Sequence, residues 1–266
     1  MKMLLHACCG PCSLEPVRLL QERGIDVTIA FINDNITPRE EYDRRFAELC
    51  AFAQSKHIEV VGGAYNPDAW ESEVGALGES LAAEHDLSLG IECASSVSEL
   101  LDDANRAIRC RACYRMRLTQ AAKLAYDSGF DTLATTLAVS PYQFTDIIGE
   151  ELERAAASVG VSAFFEDWRP YYDNATRESR ALGMYRQNYC GCRFSVEEGA
   201  ATRAFVKRQA KQRKEQQRQQ QASERAQRQA DEAARAAARR AYQSKQERKR
   251  AILKALREQK DEPTTS

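Results

Sequence analysis

Lys2 to Ala7 is a short, mostly apolar run that reads as a buried strand, and the cysteine-rich turn Cys8-Cys9-Gly10-Pro11-Cys12 follows it directly. Ser13 then reads as an N-cap, and Leu14, Val17, Leu19 and Leu20 supply the apolar side of a helix closing at Gly24. Asp26 to Ile32 alternates as a second strand, and Glu40 to Lys56 is a helix with Tyr42, Phe46, Leu49 and Phe52 at helical spacing. Ile58 to Val61 is a third, brief strand. This alternation predicts an α/β fold, a doubly wound and mostly parallel sheet with right-handed crossovers. Ligands of such sheets lie beyond the carboxyl ends of the strands, which is where Cys8, Cys9 and Cys12 fall.

Further along, Trp70 to Asn105 reads as polar and helical without a definable order. Arg109 to Tyr126 is a helix opening with a Cys-x-x-Cys pair, Thr132 to Val139 a strand, Ile147 to Ser158 a helix and Val161 to Phe165 a last strand. Thr176 to Tyr189 is expected to be a helix running into Cys190-Gly191-Cys192. From about Lys207 the composition changes abruptly to Gln, Arg, Lys, Ala and Glu, with no Gly and no Pro before Pro263. Such a window favours helix yet offers almost no apolar stripe. The expected organisation is a catalytic α/β domain over residues 1–205 and a long basic C-terminal helix or disordered tail over 206–266.

Charge sharpens that division. The 266 residues sum to a net charge of -1 and a mean hydropathy of -0.56. Residues 1–200 carry 19 Lys and Arg against 31 Asp and Glu, a balance of -12. Residues 201–266 carry 19 against 8, a balance of +11, so only the tail is attracted to polyanions. Two readings of it stand: a solvated tail, or a basic arm that follows a phosphate backbone. Fully helical, it would reach on the order of 80 Å at 1.5 Å per residue, enough to lie along a tRNA. No run approaches the eighteen or so apolar residues that cross a bilayer, and the N-terminus lacks a signal-peptide pattern, so the expected location is cytoplasmic. In that reducing compartment nine cysteines point to metal binding or redox chemistry ahead of a disulfide framework.

The cysteines form three sets. Adjacent Cys8 and Cys9, on a turn after a strand, can both present thiolates to one multinuclear centre. Cys110 and Cys113, two residues apart at an expected helix start, can face one metal, and a helix N-terminus would lower their pKa. Together these four suit an iron–sulfur cluster or a structural zinc. Spacing does not choose between them, although a Cys-Cys dipeptide is atypical of zinc ribbons. In the third set, a disulfide across one residue is strained and easily reduced, and Gly191 permits its backbone. Cys190 and Cys192 therefore read as a switching dithiol, with a second pair of metal ligands as the alternative. Cys12 is open between a further ligand and a helix-start thiol; Cys50 reads as core, and Cys93 has no assignment.

In this order, His6-Ala-Cys-Cys-Gly-Pro-Cys12, Arg109-Cys-Arg-Ala-Cys-Tyr-Arg-Met-Arg-Leu118, Ser140-Pro-Tyr-Gln143 and Tyr185-Arg-Gln-Asn-Tyr-Cys-Gly-Cys192 resemble the cobalamin-independent epoxyqueuosine reductase family, QueH. Gly129-Phe-Asp131, Thr135-Thr136-Leu137 and the Asn35-Ile36, Pro38, Glu41-Tyr42 segment add to the match, which spans about residues 2–195. The resemblance implies an adenine-nucleotide hydrolase-like fold and a [4Fe–4S] cluster on Cys8, Cys9, Cys110 and Cys113. It also implies a redox-active Cys190/Cys192 pair and a tRNA substrate carrying epoxyqueuosine. An additional iron near Cys12 fits the same expectation, and the electron donor is unidentified.

Removal of an epoxide oxygen needs an acid, and His6 is the first candidate by sequence proximity. Tyr114, Ser140, Gln143 and Asp167 are expected pocket residues, and Arg109, Arg111, Arg115 and Arg117 expected phosphate contacts. Two rivals remain. A cluster-dependent tRNA sulfur transferase would need ATP, and the chain has no Ser-Gly-Gly phosphate loop; a zinc-stabilised RNA-binding protein would leave Cys190 and Cys192 without a purpose.

Overall fold

The computed structural model describes residues 2–82 and 85–260; the end of the expected tail, 261–266, lies outside them. The chain divides into two units, the first ending at Phe205 and the second beginning at Val206.

In the first unit, five strands form one all-parallel sheet: β1 (Lys2–His6), β2 (Asp26–Phe31), β3 (Val60–Gly62), β4 (Thr132–Thr135) and β5 (Ser162–Phe164), in the order β3-β2-β1-β4-β5. The expectation of a doubly wound sheet is met. Its order reverses between β1 and β4, the position where open α/β sheets bind ligands.

Strand alternation sets the two faces. Met3 and Leu5 join Ile29 and Phe31 in one buried layer, against α1 (Gly10–Glu22) and α2 (Arg39–Ser55). Leu4 joins Ala30 and Leu133 in the other, against α7 (Asp103–Asp127) and α8 (Thr145–Val159). The same alternation turns His6 to the α7 side. Between β3 and α7 the chain makes short helices: α3 (Pro67–Trp70), a π-helical turn (Glu71–Gly75), α4 (Ala76–Ala82), α5 (Leu87–Cys93) and α6 (Val97–Leu100). After β5 come α9 (Tyr172–Ala181), which packs on α1, and α10 (Arg193–Lys260).

Three expected boundaries are corrected. Helix α1 starts at Gly10, with extended Cys9 as its cap and Pro11 in the first turn, so Ser13 is not the N-cap. Proline's fixed φ and missing N–H suit that turn, and Ser13 donates to the Cys9 carbonyl at 2.9 Å. Helix α7 begins six residues before Arg109, capped by Asp102, which puts Cys110 and Cys113 inside the helix. Finally, Cys190-Gly191-Cys192 follows an irregular segment, because α9 ends at Ala181 and Gly183 adopts a φ of +67°.

Glu151 ties α7 to α8. Its carboxylate, 2% exposed, meets Arg115 at 2.8 Å, Arg154 at 2.7 Å and Arg111 at 3.3 Å. Burial alone would raise its pKa, but hydrogen bonds from Arg115 and Arg154 outweigh that and hold it at about 2, against an ordinary 4.5. A depressed carboxylate stabilises the fold above its unfolded pKa and loses that contribution as pH falls through the folded value. The arginines are partly solvated, so Glu151→Gln should cost about 1–2 kcal/mol at pH 7. In denaturant titrations the gap to the parent protein should shrink between pH 5 and pH 2; a gap independent of pH would refute the ion-pair origin. Among the described residues no helix is long and apolar enough to cross a membrane.

Candidate functional site

The β1–α1 turn brings Cys8, Cys9 and Cys12 together at the carboxyl edge of the sheet. Their sulfurs all lie within 4.8 Å of one another, and those of Cys8 and Cys9 are 3.9 Å apart, close enough to share a metal ion. Hydrogen bonding divides their protons unequally. Cys9 is held well below the ordinary thiol range, first by the Cys12 thiol and then by that of Cys8, with Arg45 adding its charge. Cys12 is correspondingly raised by Cys8 and Cys9. At Cys8 a hydrogen bond with Cys12 lowers the pKa, but Cys9 and burial push it up to about 11. Of the three, Cys9 is the thiol whose surroundings most favour the thiolate.

Cys110 and Cys113 sit one turn apart on one face of α7. The expected helix-terminal lowering of their pKa is overturned: both are raised, chiefly by burial. The helix begins two turns earlier, so no free N–H groups of its first turn face them. Trp70 donates its indole N–H to the Cys113 sulfur at 3.3 Å. Cys113, Cys192, Trp70 and Val74 form one buried cluster, so the α7 pair and the third cysteine set meet.

That third set is anchored from α2 and the segment before it. Arg45, fully buried and paired with Glu41 at 2.6 Å, donates to the carbonyl of Cys190 at 2.8 Å. The Thr37 N–H donates to the Gly191 carbonyl at 3.0 Å, and the Tyr185 hydroxyl to Glu41 at 2.6 Å. Gly191 has a φ of +136°, and a Cβ there would stand 2.9 Å from Ile36 and 3.2 Å from Asn35. Backbone angle and close approach both require glycine at this position. Both cysteines are free thiols; burial, then the charge of Cys190, pushes Cys192 up to about 12.

Arg117 stands among the three sets. It is 1% exposed, its charge acts on Cys113, Cys8 and Cys190, and it donates to Asn33 at 2.5 Å. Its Nε and Nη1 have no hydrogen-bond partner among the described residues, nor do Thr136 Oγ1 or either amide atom of buried Asn35. Orphaned buried donors are rare and costly, and these lie in or beside the carboxyl-edge loops of β2 and β4. With Arg45 and Arg109 also buried, three guanidiniums neighbour the cysteines. Buried thiols whose pKa is raised, beside an Arg117 with two unpaired nitrogens, fit a bound metal centre that would displace thiol protons and balance the charge.

The structure places the other side chains that the sequence singled out. His6 is fully buried; Thr135 engages its Nδ1 at 2.9 Å and the Ile32 carbonyl its Nε2 at 3.0 Å. Burial and Arg117 lower its pKa to about 3, which disfavours the imidazolium, and its two hydrogen bonds tie the strands together. Of the four arginines expected at phosphates, two are buried and two are partly exposed in ion pairs. Arg109 pairs with Glu198 at 2.6 Å, Arg117 is buried, and Arg111 and Arg115 bind Glu151. Of the expected pocket residues, Tyr114 donates to Gln143 at 2.6 Å, Ser140 accepts from the Tyr142 N–H, and Asp167 holds exposed Arg169. Sequence reasoning missed Arg45 and Trp70. A Glu41–Arg45 pair at i,i+4 and a lone tryptophan in a polar stretch were their only signals.

Comparison with known proteins gives the family. The family model described as Epoxyqueuosine reductase QueH matches residues 3–88 and 86–198. Relatives of that name include one from Acinetobacter baylyi, 31% identical over 201 residues, covering 74% of this chain and 81% of the relative. The relative from Histophilus somni is 30% identical, covering 78% and 77%, and that from Thermotoga maritima 28%, covering 78% and 96%. With its cysteine sets assembled at the sheet's switch point, the chain belongs to the epoxyqueuosine reductase QueH family.

Proposed function

We propose that the protein reduces epoxyqueuosine in tRNA to queuosine, the last step of queuosine synthesis, in the cytoplasm. The observation that carries this reading is the convergence of three thiol sets around buried Arg117, whose Nε and Nη1 lack hydrogen-bond partners among the described residues, in a member of this family.

Converting an epoxide to an alkene consumes two electrons and two protons and releases the oxygen as water. Oxidation of Cys190 and Cys192 to a disulfide supplies that number of each, and an external donor must then restore the dithiol. Cys8, Cys9, Cys110 and Cys113 would hold a [4Fe–4S] cluster, with Cys12 beside it for an additional iron. Such a cluster supplies one-electron transfer and Lewis acidity toward the epoxide oxygen. Trp70 orients Cys113 through its N–H···S bond, and Arg117 offsets the thiolate charge. Arg45 fixes the backbone that carries the dithiol. His6 holds β1 against β4, and the protons come from the dithiol rather than from the imidazole.

Anaerobic purification followed by metal analysis and an absorption spectrum tests the reading. About four iron and four sulfide per chain are expected, with a brown band that bleaches on reduction and turnover on epoxyqueuosine-containing tRNA. The Cys8, Cys9 and Cys12 triad favours one rival, a single structural metal. A colourless protein with about one zinc and no turnover would establish that rival.

A further inference from the structure

The second unit is helical from Val206 to the end of the described residues and exposed over nearly all its length. The family match ends at residue 198, before this unit begins. Lys207, Lys211, Lys214, Arg218, Arg225 and Arg228 are spaced by 4, 3, 4, 7 and 3 residues, and the row continues to Arg239. At 100° per residue this confines them to about a third of the helix circumference. Of the ten Lys and Arg from Lys207 to Arg239, eight fall on this face. Of the four acids in the same stretch, Glu215, Glu224 and Asp231 lie off it and only Glu232 on it. The pattern is therefore a one-sided row, not a uniformly charged surface.

We infer that this face of the C-terminal helix is a docking surface for the phosphate backbone of the tRNA substrate. The inference rests on the proposed function for the identity of the polyanion. Spacings of three and four are those of a coiled-coil seam, but a seam of Lys and Arg in place of apolar residues repels a second copy. A membrane surface would demand a large apolar face opposite the charges, where the helix offers glutamine and alanine; its exposed Tyr242, Ile252 and Leu253 all lie beyond the row. A polyanion needs only the row. The catalytic unit cannot replace it, because residues 1–200 carry -12 and the four arginines nearest the cysteine motif are held by carboxylates or buried.

The test uses the full chain. One variant converts Lys207, Lys211, Lys214 and Arg218 to Gln; a control converts four basic residues off the row, Arg213, Arg240, Lys245 and Arg248. Both lose the same net charge. Affinity for full-length tRNA is measured from 50 to 300 mM salt, with circular dichroism to check that the helix persists. The row variant should bind at least tenfold more weakly at low salt. Its plot of log affinity against log salt should flatten by about 3, roughly 0.7 for each lost contact, while the control keeps the parental slope. Equal losses in the two variants would overturn the docking face in favour of net charge alone. Unchanged binding in both would overturn it outright, as would a row variant impaired only toward phosphatidylserine vesicles. Turnover of an epoxyqueuosine-containing anticodon stem-loop by the parent is assayed separately. If it fails, the reductase reading falls, while the salt slopes still decide the docking face.

Discussion

Replacement of Cys8 by alanine is expected to abolish epoxide reduction and remove most bound iron while leaving the protein folded. The thiol lies in a triad whose sulfurs are within 4.8 Å of one another, and the pKa of its neighbour Cys9 is lowered, which favours metal ligation. Losing one ligand opens the centre, whereas exchanging a half-buried thiol for a methyl group costs the fold only about 1 kcal/mol. Cys93→Ala provides the comparison, since Cys93 is exposed and outside every cysteine set. It should keep parental turnover and iron. Iron content, the visible spectrum and turnover of epoxyqueuosine-containing tRNA are read on both proteins. A fully active Cys8→Ala enzyme without iron would end the proposal that the cysteines hold a redox centre.

Arg117→Met is expected to separate stability from function. In the metal-free chain, a guanidinium 1% exposed with two orphaned nitrogens is a cost, since each buried unsatisfied group is worth about 1–3 kcal/mol. An apolar side chain of similar length relieves that cost but leaves Asn33 Oδ1 without the donor it now has. Such exchanges at buried ions are commonly neutral or stabilising. The metal-free variant should therefore melt no lower than the metal-free parent. The loaded protein should suffer, because the charge acting on Cys113, Cys8 and Cys190 is gone. Iron content should fall several-fold, and turnover with it. Melting curves of both proteins with and without metal check this; a variant that loads iron like the parent would show that Arg117 serves only the fold.

Much of the architecture is set by local pattern. The apolar run from Met3 to Leu5, the helical spacing of Tyr42, Phe46, Leu49 and Phe52, and the composition change near Lys207 each constrain the chain within a few residues, and the corresponding elements form. The cysteine motifs were legible for the same reason. Adjacency, a two-residue gap and a one-residue gap are properties of the sequence alone, and together with the motifs around them they carried the resemblance to the family.

Burial and the partners of each charge were not legible, because both depend on residues far apart in the chain. His6 stands beside the cysteines in sequence, yet its ring is claimed by Thr135 and Ile32 and neutralised by burial. Arg109 and Arg117 look like solvated basic residues until Glu198 and the layer under α7 enclose them. Cys110 and Cys113 were expected at a helix start that would lower their pKa; the Asp102 cap puts them inside the helix, and burial raises both instead. The sequence by itself determined which groups are present, their spacing and the fold that carries them. Tertiary structure decided which of them meet and which stay charged, because desolvation and long-range pairing set those properties and neither is encoded in any local window.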